Sequence, residues 1–488
     1  MAETAEARSF TDRFFKISER GSTVGREVRG GLVTFFAMAY IVVLNPLIIG
    51  TVPDSTGAFL GGGAEPDLAL VSAATALVAG VLTILMGVVA NFPLALAAGL
   101  GLNAFVAFAV ATQMTWADAM GLVVIEGFIM LVLVLSGFRK AVFTAVPREL
   151  KTGISVGIGL FIAFVGLVNG GFVSSTLMPT PPVELGASGS LAGWPVLVFC
   201  IGMLAVIILH TLQVRGAILW SIIGTSIIAV IVEQVGNIGV QDAEDPDANP
   251  TGWTLNAPEL PGRIADIPDF SLLGQFSLLG SWDHVGVVVV VLLVFTLLLT
   301  DFFDTMGTMV AVGHEGGLLD REGNPLGSQR ILVVDSLATL AGGTGAVSTN
   351  TSFVESSAGV GDGARTGLAS VVTGVCFLLA TFLSPLVAMV PNEAAAPALV
   401  LVGFLMMTQI RSIRWDDSDF AIPVFLTIIL MPLAYSISVG IGAGFISYVV
   451  LKLVRGQVRA VHPLMWLVAA LFVVYFAVEP IQSVLGGL

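Results

Sequence analysis

The chain has 488 residues, 56% of them hydrophobic and 11% charged, with a net charge of −14. A soluble protein of that length has too little interior to hide so much apolar surface, so the chain reads as a polytopic membrane protein. The acidic balance excludes a basic nucleic-acid surface. Cys200 and Cys376, both within apolar runs, suggest neither a disulfide framework nor a metal cluster.

The N-terminal stretch "MAETAEARSFTDRFFKISERG" is polar and amphipathic and lacks the apolar core of a signal peptide, so residues 1–29 read as a cytoplasmic segment. A helical span needs about 20 apolar residues. Apolar runs lie near 30–50, 69–90, 93–112, 119–137, 151–170, 191–209 and 216–234. A polar, Pro- and Asp-rich linker, 235–283, interrupts them. Runs resume near 285–308, 330–341, 347–361, 366–390, 395–410, 420–435, 436–454 and 461–484, with 420–454 open to reading as two spans or one folded hairpin.

Basic residues set the orientation. Arg13, Lys16, Arg20, Arg26 and Arg29 precede the first span, Arg139, Lys140, Arg148 and Lys151 follow the fourth, and Arg411 and Arg414 follow the twelfth. The loops 51–68 and 171–190 have none, and the linker has only Arg263. A cytoplasmic N-terminus and an extracellular linker are the expectation.

The halves 30–234 and 284–488 echo each other. "MGLVVIEGFIMLVLVLSGFRKAVFTAVP" (120–147) and "TGLASVVTGVCFLLATFLSPLVAMVP" (366–391) share Gly, Ser and Val-Pro placement at an offset of about 245 residues. An odd number of spans in the first half inverts the second, the arrangement of secondary transporters with a site where the repeats meet. The same offset relates two spans that are poor helices. "NFPLALAAGLGLNAFVAFAV" (91–110) is broken by Gly99 and Gly101, and "GGTGAVSTNTSFVESSAGVGDG" (342–363) has a polar centre. Each is expected to be an extended piece followed by a half-helix, tolerated at that depth only around a cavity or inside protein.

The run from Val285 ends in "LLLTDFFDTMGTM", where Asp301, Asp304, Thr305 and Thr308 form one polar stripe at i, i+3, i+4 and i+7. An acid mid-span costs roughly 2.5–3.5 kcal/mol. Either the pair marks the cytoplasmic end of the helix, or it faces a polar cavity and binds substrate or a proton. In "SFVE", Ser352 and Glu355 fit a capping box, a structural role compatible with ligand binding at the other lone pairs. Asp335, in a short span, is a further candidate. Glu126 reads as an interhelical hydrogen bonder, Asn103 as a helix-start or helix–helix hydrogen bonder, and His314 and Glu315 as solvated.

At these residues a family resemblance emerges. "GLVTFFAMAYIVVLNP" (31–46), "LAAGLGLNAF" (96–105), "DFFDTMGTMVAV" (301–312) and "TSFVESSAGVGDGARTGLASVVTG" (351–374) resemble the nucleobase:cation symporter 2 family, in its branch of adenine, guanine and hypoxanthine permeases. "APALVLVG" (396–403) and "IPVFLTIILMPLAYSISVGIGAGFISY" (422–448) are similar to the same branch. The resemblance implies an all-α membrane fold of about fourteen spans in two inverted seven-span repeats, with short strands and half-helices in spans three and ten. Spans one to four and eight to eleven would form a core domain, and five to seven and twelve to fourteen a gate domain. By motif it carries substrate binding onto Glu355, Asp301, Phe353, Gly101 and Asn103, and proton coupling onto Asp301 and Asp304. The chain departs from the branch at Ala98-Gly99, usually Pro-Gly, and at Gly343-Thr344-Gly345, Asn350 and Phe353, positions that bear on which base is preferred.

The implied partners are a purine nucleobase, a coupling proton or Na⁺, the bilayer and a second copy in a dimer, with no cofactor. The chemistry suits the acids, because a purine's N–H edge can pair with a carboxylate and its ring can stack on an aromatic face. Rival readings are a transporter of uracil, xanthine or an anion on the same plan, and, remotely, an intramembrane prenyltransferase. An anion site wants a cation, and spans three, eight and ten hold no Lys or Arg. A diphosphate site wants basic residues, and near "DFFDT" only Arg321 and Arg330 occur.

Overall fold

The computed structural model describes residues 10–136, 146–176, 182–186, 189–214, 216–241, 249–260, 262–320, 324–387 and 389–485. The basic cluster Arg139 and Lys140 and the Arg321 site of the diphosphate reading lie outside them.

The described chain is mostly helical, with ten helices long and apolar enough to cross a membrane. A short amphipathic helix α1 (Phe10–Phe15) precedes α2 (Val24–Met38), whose start is capped by the Thr23 hydroxyl accepting from the Arg26 amide. After a turn at Tyr40 the chain continues as α3 (Ile41–Ile49). Helix α4 (Leu68–Leu85) is capped by Asp67 and prolonged by a π turn to Ala90, where Asn91 in the left-handed region ends it. A short strand β1 (Leu96–Ala98) and helix α5 (Leu100–Phe105) follow, then α6 (Trp116–Ser136), α7 (Arg148–Asn169), the hairpin β2 (Val173–Ser175) and β3 (Val183–Leu185), α8 (Trp194–Thr211) and α9 (Ala217–Gly236).

Beyond the linker, α10 (Gly280–Glu315) is broken near its start by Gly286, whose φ of 76° and ψ of 165° only glycine adopts readily. Then come α11 (Ser328–Thr344), β4 (Asn350–Ser352), α12 (Ser356–Gly361), α13 (Gly367–Ala380), α14 (Asn392–Met407), α15 (Ser418–Leu433), α16 (Ile437–Val454) and α17 (Pro463–Leu485). The 420–454 stretch is therefore two helices, packed on each other across the turn at Ala434–Ser436.

The helices pack in two groups. In one, α4 and α2 lie against α13, and α6 against α10 and α11; in the other, α7 packs on α14 and α15, α8 on α9 and α14, and α16 on α15 and α17. Glycines permit the closest crossings. A Cβ at Gly80 of α4 would sit 2.9 Å from the Gly374 carbonyl of α13, so the backbones meet directly and the van der Waals contact that replaces hydrophobic driving force in lipid is gained. The linker touches both groups. Trp253, fully buried, donates to Glu233 at 2.7 Å and the Thr254 amide to Glu393 at 2.9 Å, whereas the Gly274 amide reaches the Thr344 carbonyl at 2.7 Å.

Candidate functional site

The two interrupted spans meet. β1 and β4 pair antiparallel with Leu96 opposite Ser352, Ala97 opposite Thr351 and Ala98 opposite Asn350. The Gly99 amide extends the ladder to the Thr349 carbonyl and the Phe353 amide to the Ala95 carbonyl, both at 3.0 Å. Every residue of both strands is buried, so each backbone group left by the broken helices needs a partner. Side chains provide the remainder on the outer edge of β1. The Thr83 hydroxyl both accepts from the Leu96 amide and donates to its carbonyl, and the Ser370 and Ser356 hydroxyls accept from the Leu94 and Ala95 amides. Sequence pattern locates the breaks; the pairing across some 250 positions is a property of the fold.

The polar stripe of α10 docks on β4, and it divides there. Asp301 is fully buried, its Oδ2 accepting from the Thr339 hydroxyl at 2.7 Å while Oδ1 has no partner. Thr305, one turn on, donates to Asp335 of α11 at 2.8 Å and shares a 2.9 Å hydrogen bond with Thr351 of β4. Asp304 lies at the stripe's other margin and is exposed, within electrostatic reach of Glu355. Three residues, a little under one turn of helix, thus separate an acid sealed behind the strand from one that is exposed. The reading of this pair as a cytoplasmic end marker fails for Asp301, which is enclosed by α11 and β4; the helix runs on to Glu315.

Glu355 stands at the N-terminal end of α12, half-buried, and accepts a hydrogen bond from the Tyr40 hydroxyl. The capping box expected of Ser352 and Glu355 is not formed. Ser352 instead donates to Asp335 at 2.9 Å, and Glu355 makes no side-chain cap bond. The reason is tertiary: a buried Asp335 needs donors more than a half-helix with exposed surface needs a cap. Phe353 is buried beside the strand end, 6% exposed. Gly101 lies on the face of α5 toward the second helix group, where an added Cβ would come within 3.1 Å of Ile158 and 3.5 Å of Met406. Asn103 is turned away, donating at 2.5 Å to Asn45, which in turn donates to Thr75 and the Val347 carbonyl.

The structure therefore gathers Asp301, Asp304, Glu355 and Phe353 around β4, sets Gly101 on the facing surface, and leaves Asn103 in a packing network. His314 and Glu315 are exposed. Glu126 does not make the interhelical bond expected of it: it accepts at 2.9 Å from Thr349, in the non-helical segment ahead of β4, because the broken span brings a hydroxyl there where a helix would not. Sequence reasoning missed Tyr40, which no local pattern links to Glu355, and the hydroxyls of Thr339 and Ser352, whose spacing gives no sign that they face acids. Among the described residues no Lys, Arg or His forms an ion pair with Asp301, Asp304, Asp335, Glu126 or Glu355. The site thus holds several carboxylates without a counter-charge beside hydroxyl donors, an arrangement unfavourable to an anion.

Known proteins resemble this chain in both fold and sequence. The first shared feature is fold. The transmembrane domain of the cyanobacterial bicarbonate transporter BicA superposes with a TM-score of 0.59 over 86% of this chain and 97% of its own, at 15% identity. SLC26A9 gives 0.58 over 93% of this chain and 73% of its own, at 11% identity. At such identities the likeness concerns architecture alone. Sequence relatives are nearer. The guanine/hypoxanthine permease PbuG of Bacillus subtilis is 38% identical over 95% of this chain and 98% of its own. The adenine permease AdeP of Escherichia coli is 35% identical over 95% of each, and PbuO of Bacillus subtilis, a second guanine/hypoxanthine permease, is 36% identical over 94% of this chain and 98% of its own. Residues 25–443 match the Xan_ur_permease model of the Permease family. A match of that extent, with relatives aligned end to end, makes this chain a multi-pass membrane transporter rather than an enzyme, and a member of the nucleobase:cation symporter 2 family.

Proposed function

We propose that this protein imports purine nucleobases (hypoxanthine, guanine or adenine), coupled to protons, by alternating access. The observation that carries the reading is the set of carboxylates without counter-charge where β1 pairs with β4, with Glu355 at a half-helix end and the exposed Asp304 within electrostatic reach of it. Relatives named as guanine/hypoxanthine and adenine permeases support the substrate class. Glu355 binds the N–H edge of the base in a charge-assisted hydrogen bond, worth roughly 1.5–3 kcal/mol, and Asp301 with Asp304 handles the proton. Phe353 and Gly101 shape the two sides of the site, and Asn103 acts from behind.

In this reading the chain has fourteen spans in two inverted repeats, 30–234 and 284–488, joined by the extracellular linker 235–283, with the N-terminus cytoplasmic. The first helix group is the core domain and the second the gate. The two rock as rigid bodies about the site, a motion the transporter plan of broken helices at a repeat interface favours. The contact of Gly101 with Ile158 and Met406 is part of the sliding surface, where a side chain larger than hydrogen would jam the approach.

The fold neighbours prompt a second reading, since they are named as bicarbonate and anion transporters. The carboxylates without counter-charge oppose it. The deciding experiment is uptake of labelled hypoxanthine into cells lacking their own purine permeases, competed by adenine, guanine, xanthine, uracil, sulfate and bicarbonate, with a protonophore control. Saturable uptake blocked by purines and by the protonophore is expected. Inhibition by sulfate or bicarbonate but not by purines would overturn the substrate assignment.

A further inference from the structure

Behind β4, on the side away from Asp304 and Glu355, lie polar groups that the transport reading does not use. Glu126 is fully buried on α6, sealed there by glycines. An added Cβ at Gly127 would come within 2.5 Å of the Leu340 amide nitrogen of α11, and one at Gly343 within 2.7 Å of the Val124 backbone nitrogen. The two helices touch backbone to backbone on either side of the carboxyl. One Glu126 oxygen accepts from Thr349; the other, Oε1, has no partner. Asp301 Oδ1 and Asp335 Oδ2 are likewise buried without partners, and so is the whole side-chain amide of Asn350, which is 1% exposed. Buried polar atoms are left unpaired rarely and at a cost of about 1–3 kcal/mol each, so several around one strand call for a functional account.

The acids lie within electrostatic reach of one another. Asp301 of α10 and Asp335 of α11 act electrostatically on Glu126, and Asp301 and Asp304 on Asp335. No other titratable group acts on Glu126 from the elements packed against α6, and none of the three acids has a cationic partner among the described residues. Three carboxylates enclosed without counter-charge cannot all ionise, so the pocket needs a positive species. Among the described residues no three acidic, His or Cys side chains converge closely enough to hold a metal ion. A proton, which needs only one oxygen at a time, suits the arrangement.

We propose that Glu126 is a proton-holding residue of the transport cycle, exchanging a proton with Asp301 and Asp335 behind β4, out of contact with substrate. The step is a simple transfer. The O–H bond on one carboxyl breaks as another forms on its neighbour, and the net charge of the three is unchanged. Glu126 Oε1, Asp301 Oδ1 and Asp335 Oδ2, each without a hydrogen-bond partner, are the atoms that take the proton. Thr349 and the Asn350 carbonyl, which accepts from Thr339, tie both ends of this route to the strand that carries the substrate site. This role rests on the proton-coupled reading given above.

The test is purified protein in liposomes, with labelled hypoxanthine measured in two modes: equilibrium exchange without a pH gradient, and accumulation driven by one. Glu126→Gln keeps the shape and the bond from Thr349 but holds no exchangeable proton. Exchange within about twofold of wild type is expected, with driven accumulation reduced at least about tenfold and its pH profile flattened, one pH unit being tenfold in proton activity. Glu126→Asp should restore part of the accumulation. Unchanged accumulation in Glu126→Gln would overturn the proposal, and so would equal loss of exchange in protein that elutes and melts like wild type. A wild type that accumulates on a Na⁺ gradient alone, indifferent to pH, would overturn the proton coupling itself along with this role.

Discussion

The two interrupted spans have one geometry and opposite chemistry. β1 and α5 present Leu96, Ala97, Ala98, Leu100 and Leu102; β4 and α12 present Asn350, Thr351, Ser352 and Glu355. Both consist of a three-residue strand and a six-residue helix, both are buried along the strand, and each supplies the other's hydrogen bonds. The apolar span closes the crossing with buried, uncharged side chains. The polar copy brings the acceptors and links them to α10 and α11 through Thr351, Ser352 and Thr339. The two spans share the same break in the backbone, yet only the second carries a carboxylate, Glu355, just beyond its strand.

Removing the charge from the polar copy should have the largest effect. Glu355→Gln is expected to lower uptake by roughly 10- to 100-fold, as loss of a charge-assisted bond implies, with the melting temperature within a few degrees of wild type. Normal uptake by this variant would end the case for Glu355 as the base-binding acid. In the apolar copy, Asn103→Ala leaves the buried Asn45 carbonyl oxygen without its donor. A loss of about 1–3 kcal/mol in stability is expected from that orphaned group, read as a fall in melting temperature, with the substrate KM nearly unchanged. Should KM rise while the melting temperature holds, the apolar copy contacts substrate through Asn103 and the contrast weakens.

Tyr40→Phe is a finer probe, since it removes only the hydroxyl that donates to Glu355. The expected change is about 1 kcal/mol, near a fivefold rise in KM, because Glu355 loses a group that orients it. Smallest of all is Arg29→Ala. Arg29 pairs with Asp362 beyond the end of α12, but its side chain is 64% exposed. Such pairs contribute about 0–1 kcal/mol, so uptake should stay within twofold. A large loss there would show that the chain after the polar copy moves during transport.

Some of this architecture is legible in one dimension. Apolar runs of span length report the bilayer, because lipid demands continuous hydrophobicity along a helix. Glycines and hydroxyls interrupting those runs report the two breaks, and the i, i+3, i+4, i+7 stripe reports a helix face that is not lipid-facing. Asp301, Asp304 and Glu355 were visible because an acid in such a run carries a cost that calls for a reason, whether a span end, a helix cap or a site. What local pattern could not assign was the partner of each group. Ser352 looked like a helix cap for Glu355 because the spacing fits, yet it serves Asp335, which is seventeen positions back in the chain and beside it in space.

Sequence alone determined the solvent, the helices, the places where helix fails and the acids that require a reason. These follow from transfer free energies and backbone hydrogen bonding, which act over a few residues. Tertiary structure alone decided which acid is sealed and which is open, that Tyr40 meets Glu355, and that Glu126, Asp301 and Asp335 lie within electrostatic reach of one another. Those depend on how helices from distant parts of the chain pack face to face, and desolvation is a property of the packed neighbourhood, not of the residue or its neighbours in the chain.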